Sequence, residues 1–346
     1  MAASPAFIHL RVHTEYSLVD GVVRVKPLMN TLVEQGMPAV ALTDQGNLFA
    51  MVKFYKAALG SGIKPIIGVD AWVSDADSQA QPYRMLLLCQ NREGYLNLSQ
   101  LISKSFLEGQ QRGIPIIQSA WIDEKNDGLI ALSGGREGDV GRALIAGNHE
   151  EAEQRLQHWK ATFGDRYYLE LQRTGRENEE HYIAEAVSLA IKTATPVVAT
   201  NDVRFIKSDD FEAHEVRVCI HDGRTLDDPR RQKSYSEQQY LRTAEEMQAL
   251  FEDIPEALQN SVEIARRCNL EVRLGESFLP QFPIPQGETT DSYFTRVSRE
   301  GLAKRLEVLL DPAAEDYQQR KAEYEERLQV EMDVIINMGF PGYFLI

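Results

Sequence analysis

The residues best suited to chemistry open the chain. Phe7 to Gly21 reads F-I-H-L-R-V-H-T-E-Y-S-L-V-D-G. His9, Arg11 and His13 are spaced two apart, which in an extended strand places all three side chains on one face. Phe7 begins that face, while Ile8, Leu10 and Val12 fill the other, and Thr14, Ser17, Asp20 and Gly21 form a polar turn at the strand end. Imidazoles and a guanidinium are stable inside a protein only with partners. A row of them leading into a carboxylate-bearing loop reads as a site at the mouth of a barrel or sheet. A partly exposed edge strand with satisfied histidines fits the same stretch. Further candidates stand at the ends of later apolar runs: Asp44 and Gln45 in A-L-T-D-Q-G-N, Asp70 in I-I-G-V-D-A-W-V, Gly134 and Gly135 in A-L-S-G-G-R, and Asp202 and Arg204 in A-T-N-D-V-R-F. Arg84 lies near the start of its run, P-Y-R-M-L-L-L-C. A single strand-end Asp is usually a helix cap or turn former. Several on one rim, interleaved with arginines, call for another explanation.

The elements that must position them are legible as seven short apolar runs: Phe7–His13, Ala39–Asp44, Pro65–Val73, Tyr83–Gln90, Gly128–Ser133, Tyr167–Gln172 and Pro196–Asp202. Between most of them, apolar residues recur at helical spacing over Val25–Gln35, Leu48–Leu59, Tyr95–Phe106, Val140–Ala146, Glu150–Phe163 and Glu179–Lys192. Such alternation predicts an α/β fold with a parallel sheet and right-handed crossovers. Seven units in so short a span predict a closed βα barrel rather than an open doubly wound sheet, with chemistry at the C-terminal ends of the strands.

After Phe205 the texture changes. Asp209–His221 is a charged helix, Gly223–Lys233 a polar loop rich in Arg and Asp, and Glu245–Phe251 and Pro255–Cys268 amphipathic helices. Pro280, Pro283, Pro285 and Gly287 mark a linker. Ser292–Leu310 and Tyr317–Met338 read as long charged helices, and the closing G-F-P-G-Y-F-L-I reads as a cut within a domain.

Composition narrows the function class. The 346 residues are 43% hydrophobic and 26% charged, with a net charge of -15. That balance argues against a chain whose main task is gripping phosphate backbones. Cys89, Cys219 and Cys268 are widely separated and odd in number, so no disulfide framework or paired-cysteine zinc site is expected. A reducing, cytoplasmic setting follows as the expectation, with no signal peptide, no membrane span and no membrane partner. Walker A, G-x-G-x-x-G and G-x-S-x-G patterns are absent. His149, His158 and His181 read as solvated helix residues. His214 and His221 share a helix face without an evident third ligand.

With these residues laid out, the chain resembles the N-terminal part of the alpha subunit of bacterial replicative DNA polymerase III. H-L-R-V-H-T-E-Y-S-L-V-D-G, the stretch Leu42–Asn47, G-I-K-P-I-I-G, L-S-G-G-R-E-G-D-V-G-R, P-V-V-A-T-N-D-V-R-F, L-G-E-S-F-L-P-Q-F-P and N-M-G-F-P-G-Y-F-L-I all carry the likeness. It implies a polymerase-and-histidinol-phosphatase (PHP) domain over residues 1–270, a seven-stranded distorted TIM-like barrel. A mainly helical segment at 271–346 would hold a linker and the beginning of the polymerase palm. The resemblance places the polymerase aspartates and their Mg²⁺ beyond this segment, so DNA would be engaged mainly through the full-length chain. Its implied partners are the proofreading exonuclease subunit and the rest of the holoenzyme.

Hydrolytic PHP domains bind metal ions. Carried over motif by motif, the resemblance puts their ligand positions at Arg11, His13, Asp20, Gln45, Asp70, Arg84, Gly135, Asp202 and Arg204, with Asp44 alongside. Arg11, Gln45, Arg84 and Arg204 stand where His is usual, Asp70 where Glu is usual, and Gly135 where Cys or His is usual. Arginine has no lone pair for a metal. Only His13, Asp20, Asp70 and Asp202 remain as candidate ligands. The expectation is therefore a vestigial cleft with no resident metal, Mg²⁺, Mn²⁺ or Zn²⁺ binding weakly if at all. Arg11, Arg84 and Arg204 are expected to take over the positive charge by pairing with Asp20, Asp70 and Asp202. The leading reading is structural support of the polymerase and docking of the exonuclease. The alternatives are a residual phosphoesterase, pyrophosphatase or 3'-5' exonuclease, and an unrelated isomerase barrel.

Overall fold

The computed structural model describes residues 6–75, 81–276 and 280–346. The chain forms two compact units, Met1–Val272 and Arg273–Ile346.

The strands of the first unit are β1 (Ala39–Leu42), β2 (Lys64–Ser74), β3 (Tyr83–Cys89), β4 (Gln110–Gln111), β5 (Ile114–Gln118), β6 (Leu129–Leu132), β7 (Tyr167–Gln172) and β8 (Val197–Thr200). Its helices are α1 (Val25–Glu34), α2 (Met51–Gly60), α3 (Arg92–Leu107), α4 (Ser119–Glu124), α5 (Asp139–Ile145), α6 (His149–Phe163), α7 (Glu179–Thr193), α8 (Phe211–Asp222), α9 (Ala244–Leu250) and α10 (Pro255–Arg267). The barrel path runs β1-β2-β3-β6-β7-β8. It closes through the extended residues 7–14, which donate and accept on both sides. Ala41 N donates to His9 O at 2.9 Å, and His13 N to Val203 O at 2.9 Å. This segment makes isolated bridges rather than a regular ladder.

Two expectations need correction. First, the sheet is mixed: β3 runs antiparallel to both β2 and β6. Too few residues separate Ser74 from Tyr83 for the crossover that a parallel pair requires. Reversal of β3 carries its first residues, not its last, to the functional rim. Second, His9 does not share a face with Arg11 and His13. Successive bonds from β1 reach His9 O and then Val12 O. Three residues of one strand therefore oppose two of the other, a bulge. Below it, Ile8 and Leu10 point inward, packing with Ile66, Leu86, Leu88, Ile130, Leu132 and Val198. Above it, the inward set is Arg11 and His13, which meet Asp70, Glu170 and Asp202. His9 faces outward, its Nε2 2.8 Å from Arg242 O.

The barrel bottom is plugged by α10, whose Val262 and Ala265, with Cys268 just past its end, complete the inner core. Ser261 Oγ accepts from Ile8 N at 3.0 Å. A larger apolar layer between sheet and helices includes Phe54, Trp159, Phe163, Tyr182 and Phe251, all buried. The short β4–β5 hairpin was not legible as strand, because Gln110 and Gln111 are exposed and carry no apolar alternation.

In the second unit, α11 (Thr290–Leu309) packs with α12 (Tyr317–Asn337) and α13 (Pro341–Leu345). Thr289 caps α11, accepting from Ser292 N at 3.1 Å. Among the described residues, no helix is long and apolar enough to cross a membrane.

Candidate functional site

At the barrel mouth the bulge delivers Arg11 and His13, the C-terminal half of β2 delivers Asp70, and reversed β3 delivers Arg84. Asp202 follows β8 with φ of +48°, a left-handed conformation rare outside glycine. Asp20 arrives on the loop after residue 14. That loop folds back so closely that a Cβ on Gly21 would lie 2.1 Å from Thr14 O.

Arg11 is fully buried and sits at the centre of the cluster. Its Nη2 lies 2.5 Å from Asp70 Oδ2, Nη1 3.0 Å from Glu170 Oε2 and Nε 3.0 Å from Asp202 Oδ1. Arg84 also pairs with Asp70, and its guanidinium lies 4.5 Å from the centre of the Trp72 ring. Arg204 donates to Asp20 and, at 2.6 Å, to Asp202 Oδ1. His13 stands between, Nδ1 2.9 Å from Asp20 Oδ1 and Nε2 3.0 Å from Asp70 Oδ2.

Several participants were missed in the sequence. Glu170 accepts from Arg11 and, at 2.6 Å, from Thr200 Oγ1. Arg176 Nη1 lies 3.3 Å from Asp202 Oδ2, and Gln239 Nε2 donates to that oxygen at 2.8 Å. Tyr235 OH donates to Asp20 Oδ2 at 3.1 Å. Glu170 had a signal, an acidic residue inside the apolar run Y-Y-L-E-L-Q. Arg176, Tyr235 and Gln239 had none, since they lie in loops that only the fold brings to the rim.

Burial alone would push the carboxyl groups of Asp20, Asp70 and Asp202 up. The adjacent guanidiniums, Arg204 beside Asp20, Arg11 and Arg84 beside Asp70, and Arg204 with Arg11 beside Asp202, hold all three well below the usual carboxylate range. Arg11, Arg84 and Arg204 thus face Asp20, Asp70, Glu170 and Asp202, and Arg176, which also pairs with Glu137 and Glu179, adds a further cation beside Asp202.

Ligand atoms of His13, Asp70 and Asp202 lie within 4.8 Å of one another, a spacing that could hold one metal ion. The surrounding donor set fits a catalytic metal cluster poorly. The Asp70 oxygen nearest His13 already receives Arg11 and Arg84, and the Asp202 Oδ1 oxygen receives Arg11 and Arg204. Gly135 offers no side chain, and a Cβ there would lie 3.2 Å from Gln172 Oε1. Removing Arg84 leaves Asp70 short of a partner. Arg84→Ala is expected to lower the melting temperature by several degrees, on the order of 1–3 kcal/mol for a lost charged hydrogen bond. An unchanged melting curve would count against charge compensation.

Among the described residues, Asp44 makes no pair with the arginines, and Gln45 sits above them. Asp44 accepts from Thr14 N at 2.6 Å and from Ser17 Oγ at 2.8 Å, and burial pushes its carboxyl up. It braces the loop that carries Asp20. Asp44→Ala is expected to destabilise the unit by about 1–3 kcal/mol through the orphaned Thr14 amide, measurable by urea titration. Gln45 lines a cavity of about 510 Å³ above the cleft, together with Trp72, Arg84, Arg204 and Tyr235. His149, His158 and His181 are exposed. His214 is buried with Nε2 2.9 Å from Asp20 O, while His221 is at the cavity rim.

Residues 9–174 match the PHP domain model, and residues 292–346 match the model described as the bacterial DNA polymerase III alpha NTPase domain. The chain is 57% identical over 342 residues to the DNA polymerase III subunit alpha of Pseudomonas fluorescens and 53% identical over 344 residues to that of Escherichia coli K12. In both comparisons 99% of the chain is covered, against 29% and 30% of the relatives' length. The chain therefore spans under a third of those relatives. Taken with the barrel and its rim, these matches place the chain in the bacterial DNA polymerase III alpha subunit family, as a segment that carries its PHP domain.

Proposed function

We infer that this chain is a non-hydrolytic structural module of a replicative DNA polymerase, acting in the cytoplasm as part of a larger assembly. The observation that supports it is the occupancy of the cleft by guanidiniums already paired with its carboxylates. A working metal hydrolase needs those same oxygens for its ions and an open coordination position for water. Polymerisation, with its Mg²⁺, belongs on this reading to the remainder of the full-length protein. So does most DNA contact. The proofreading exonuclease subunit is the proposed partner. The exposed loop 223–233 is the proposed place to look for its docking.

The domain division into a PHP domain at 1–270 and the start of the palm at 271–346 is part of the same proposal. A second reading, a residual phosphoesterase or pyrophosphatase, is favoured by the spacing of His13, Asp70 and Asp202. Elemental analysis after purification without chelator and equilibration with Zn²⁺, Mn²⁺ and Mg²⁺ separates the two. The structural reading expects metal well below one ion per chain and no hydrolysis of pyrophosphate above buffer. Stoichiometric metal lost on changing His13 and Asp202 together, with metal-dependent phosphate release, establishes the hydrolase.

A further inference from the structure

The stretch between α8 and α9 crosses the mouth of the charged cleft. Ser234 and Tyr235 wall the cavity above it, beside His221 and Asp222 from the end of α8. Tyr235 reaches inward: its hydroxyl donates to Asp20, its ring centre lies 5.6 Å from the Arg204 guanidinium carbon, and it packs edge-on against His214 at 4.7 Å. Burial and the Asp20 carboxylate hold its phenol well above the usual tyrosine range, so the hydroxyl stays a donor.

The rest of this stretch is tethered differently. Residues 223–234 are largely exposed. Among the described residues, the backbone of 225–234 bonds only within the segment, Asp228 N to Thr225 O and Arg231 N to Asp228 O. The side chains of Arg224 and Arg230 turn to Asp228 in the same segment. Among the described residues, its side-chain ties to the rest of the domain run through Arg231, which pairs with Glu215 and bonds Cys219 on α8. Beyond Tyr235 the chain is fixed again, with Ser236 donating to Thr174 O and Asn201 Nδ2 donating to Tyr240 O at 2.7 Å.

We propose that residues 223–235 form a lid over the arginine–carboxylate cleft, latched by Tyr235 on Asp20 and by Arg231 on Glu215. A segment with few bonds outside itself and high exposure belongs to the part of a domain that opens at low free energy. Its two latches have different roles. Arg231 sets where the lid lies along α8. Tyr235 occupies Asp20 Oδ2 and lies against Arg204, so a group that would pair with that oxygen must first displace the phenol. Arg11 lies one layer deeper, held by Asp70, Glu170 and Asp202, and is not uncovered by this motion.

The test uses the whole chain, comparing wild type with Tyr235→Phe and Arg231→Ala. Amide hydrogen exchange followed by peptide mass spectrometry reports lid opening. Phenylglyoxal labelling of arginines reports access to the cleft. Both variants are expected to speed exchange across 223–235 severalfold, and Tyr235→Phe to speed labelling of Arg204. Labelling of Arg11 and exchange in β3 should stay at wild-type rates. Unchanged exchange in the lid, or unchanged Arg204 labelling in Tyr235→Phe, overturns the proposal. Parallel loosening of β3 overturns it too, because Tyr235 would then be a support of the whole fold and not a latch.

Discussion

Arg11→Ala is expected to destabilise the first unit by about 3–5 kcal/mol, the range found when one member of a buried ion pair is removed. The guanidinium is fully buried and touches three carboxylates, Asp70, Glu170 and Asp202, each also buried. Deleting it leaves excess negative charge in a region with little water to screen it. Arg84 still meets Asp70, and Arg176 and Arg204 still meet Asp202, but among the described residues Glu170 is ion-paired with Arg11 alone. The loss corresponds to a fall in melting temperature on the order of 10 °C. Arg11→Lys keeps the charge but not the three-way fork, and should fall between. Arg24→Ala is the control, since that side chain is 76% exposed and only 3.8 Å from Glu15; an exposed pair contributes roughly 0–1 kcal/mol. Equal melting temperatures for the Arg11 and Arg24 variants would sink the view that guanidiniums hold the rim together.

The second large effect is on pH dependence and involves His9. This ring is fully buried, bonded through Nε2 to Arg242 O, with Nδ1 lacking a partner. Burial lowers its pKa from 6.5 to about 4; the hydrogen bond to the Arg242 backbone and the Glu246 charge oppose the shift, and the Arg242 guanidinium charge adds to it. The folded protein therefore keeps His9 neutral where the unfolded chain would protonate it. The sign follows from linkage: the contribution is fully present above pH 6.5 and is lost as pH falls toward 4. Its size is about 3 kcal/mol. The buried carboxylates act in a different window. Asp20, Asp70 and Asp202 titrate in the folded state well below their ordinary value of 3.8. Their stabilisation is present above that value and disappears only at lower pH. Urea titrations at pH 7, 6, 5 and 4.5 are expected to show stability falling steadily in wild type. His9→Gln should start lower at pH 7 but fall less steeply. Parallel pH profiles for the two proteins would show that His9 is not the titrating group.

Much of the barrel was legible because its strands are short apolar runs and its helices repeat at a period that the eye can follow. Phe7–His13, Ala39–Asp44, Tyr167–Gln172 and Pro196–Asp202 all lie on barrel positions, and α7 and α10 begin at the residues expected from their patterns. The direction of β3 was not legible, since an apolar run has no arrow in its composition. Nor was the small β4–β5 hairpin, whose pairing is decided by neighbours and not by its own residues.

By itself the sequence determined which chemical groups were available: three arginines and one glutamine at positions where the family resemblance implies histidines, one histidine, and strand-end carboxylates to pair with the cations. That much follows from residue type, because a guanidinium cannot ligate a metal and must be paired if buried. Only the tertiary structure decided who pairs with whom. A one-residue bulge turned Arg11 and His13 inward and sent His9 outward, a change of face that spacing by two cannot reveal. Reversal of β3 brought Arg84 to the rim, and a loop far along the chain laid Tyr235 over Asp20. These outcomes depend on register and chain path, which are set by packing across the whole barrel and are not written in any local stretch.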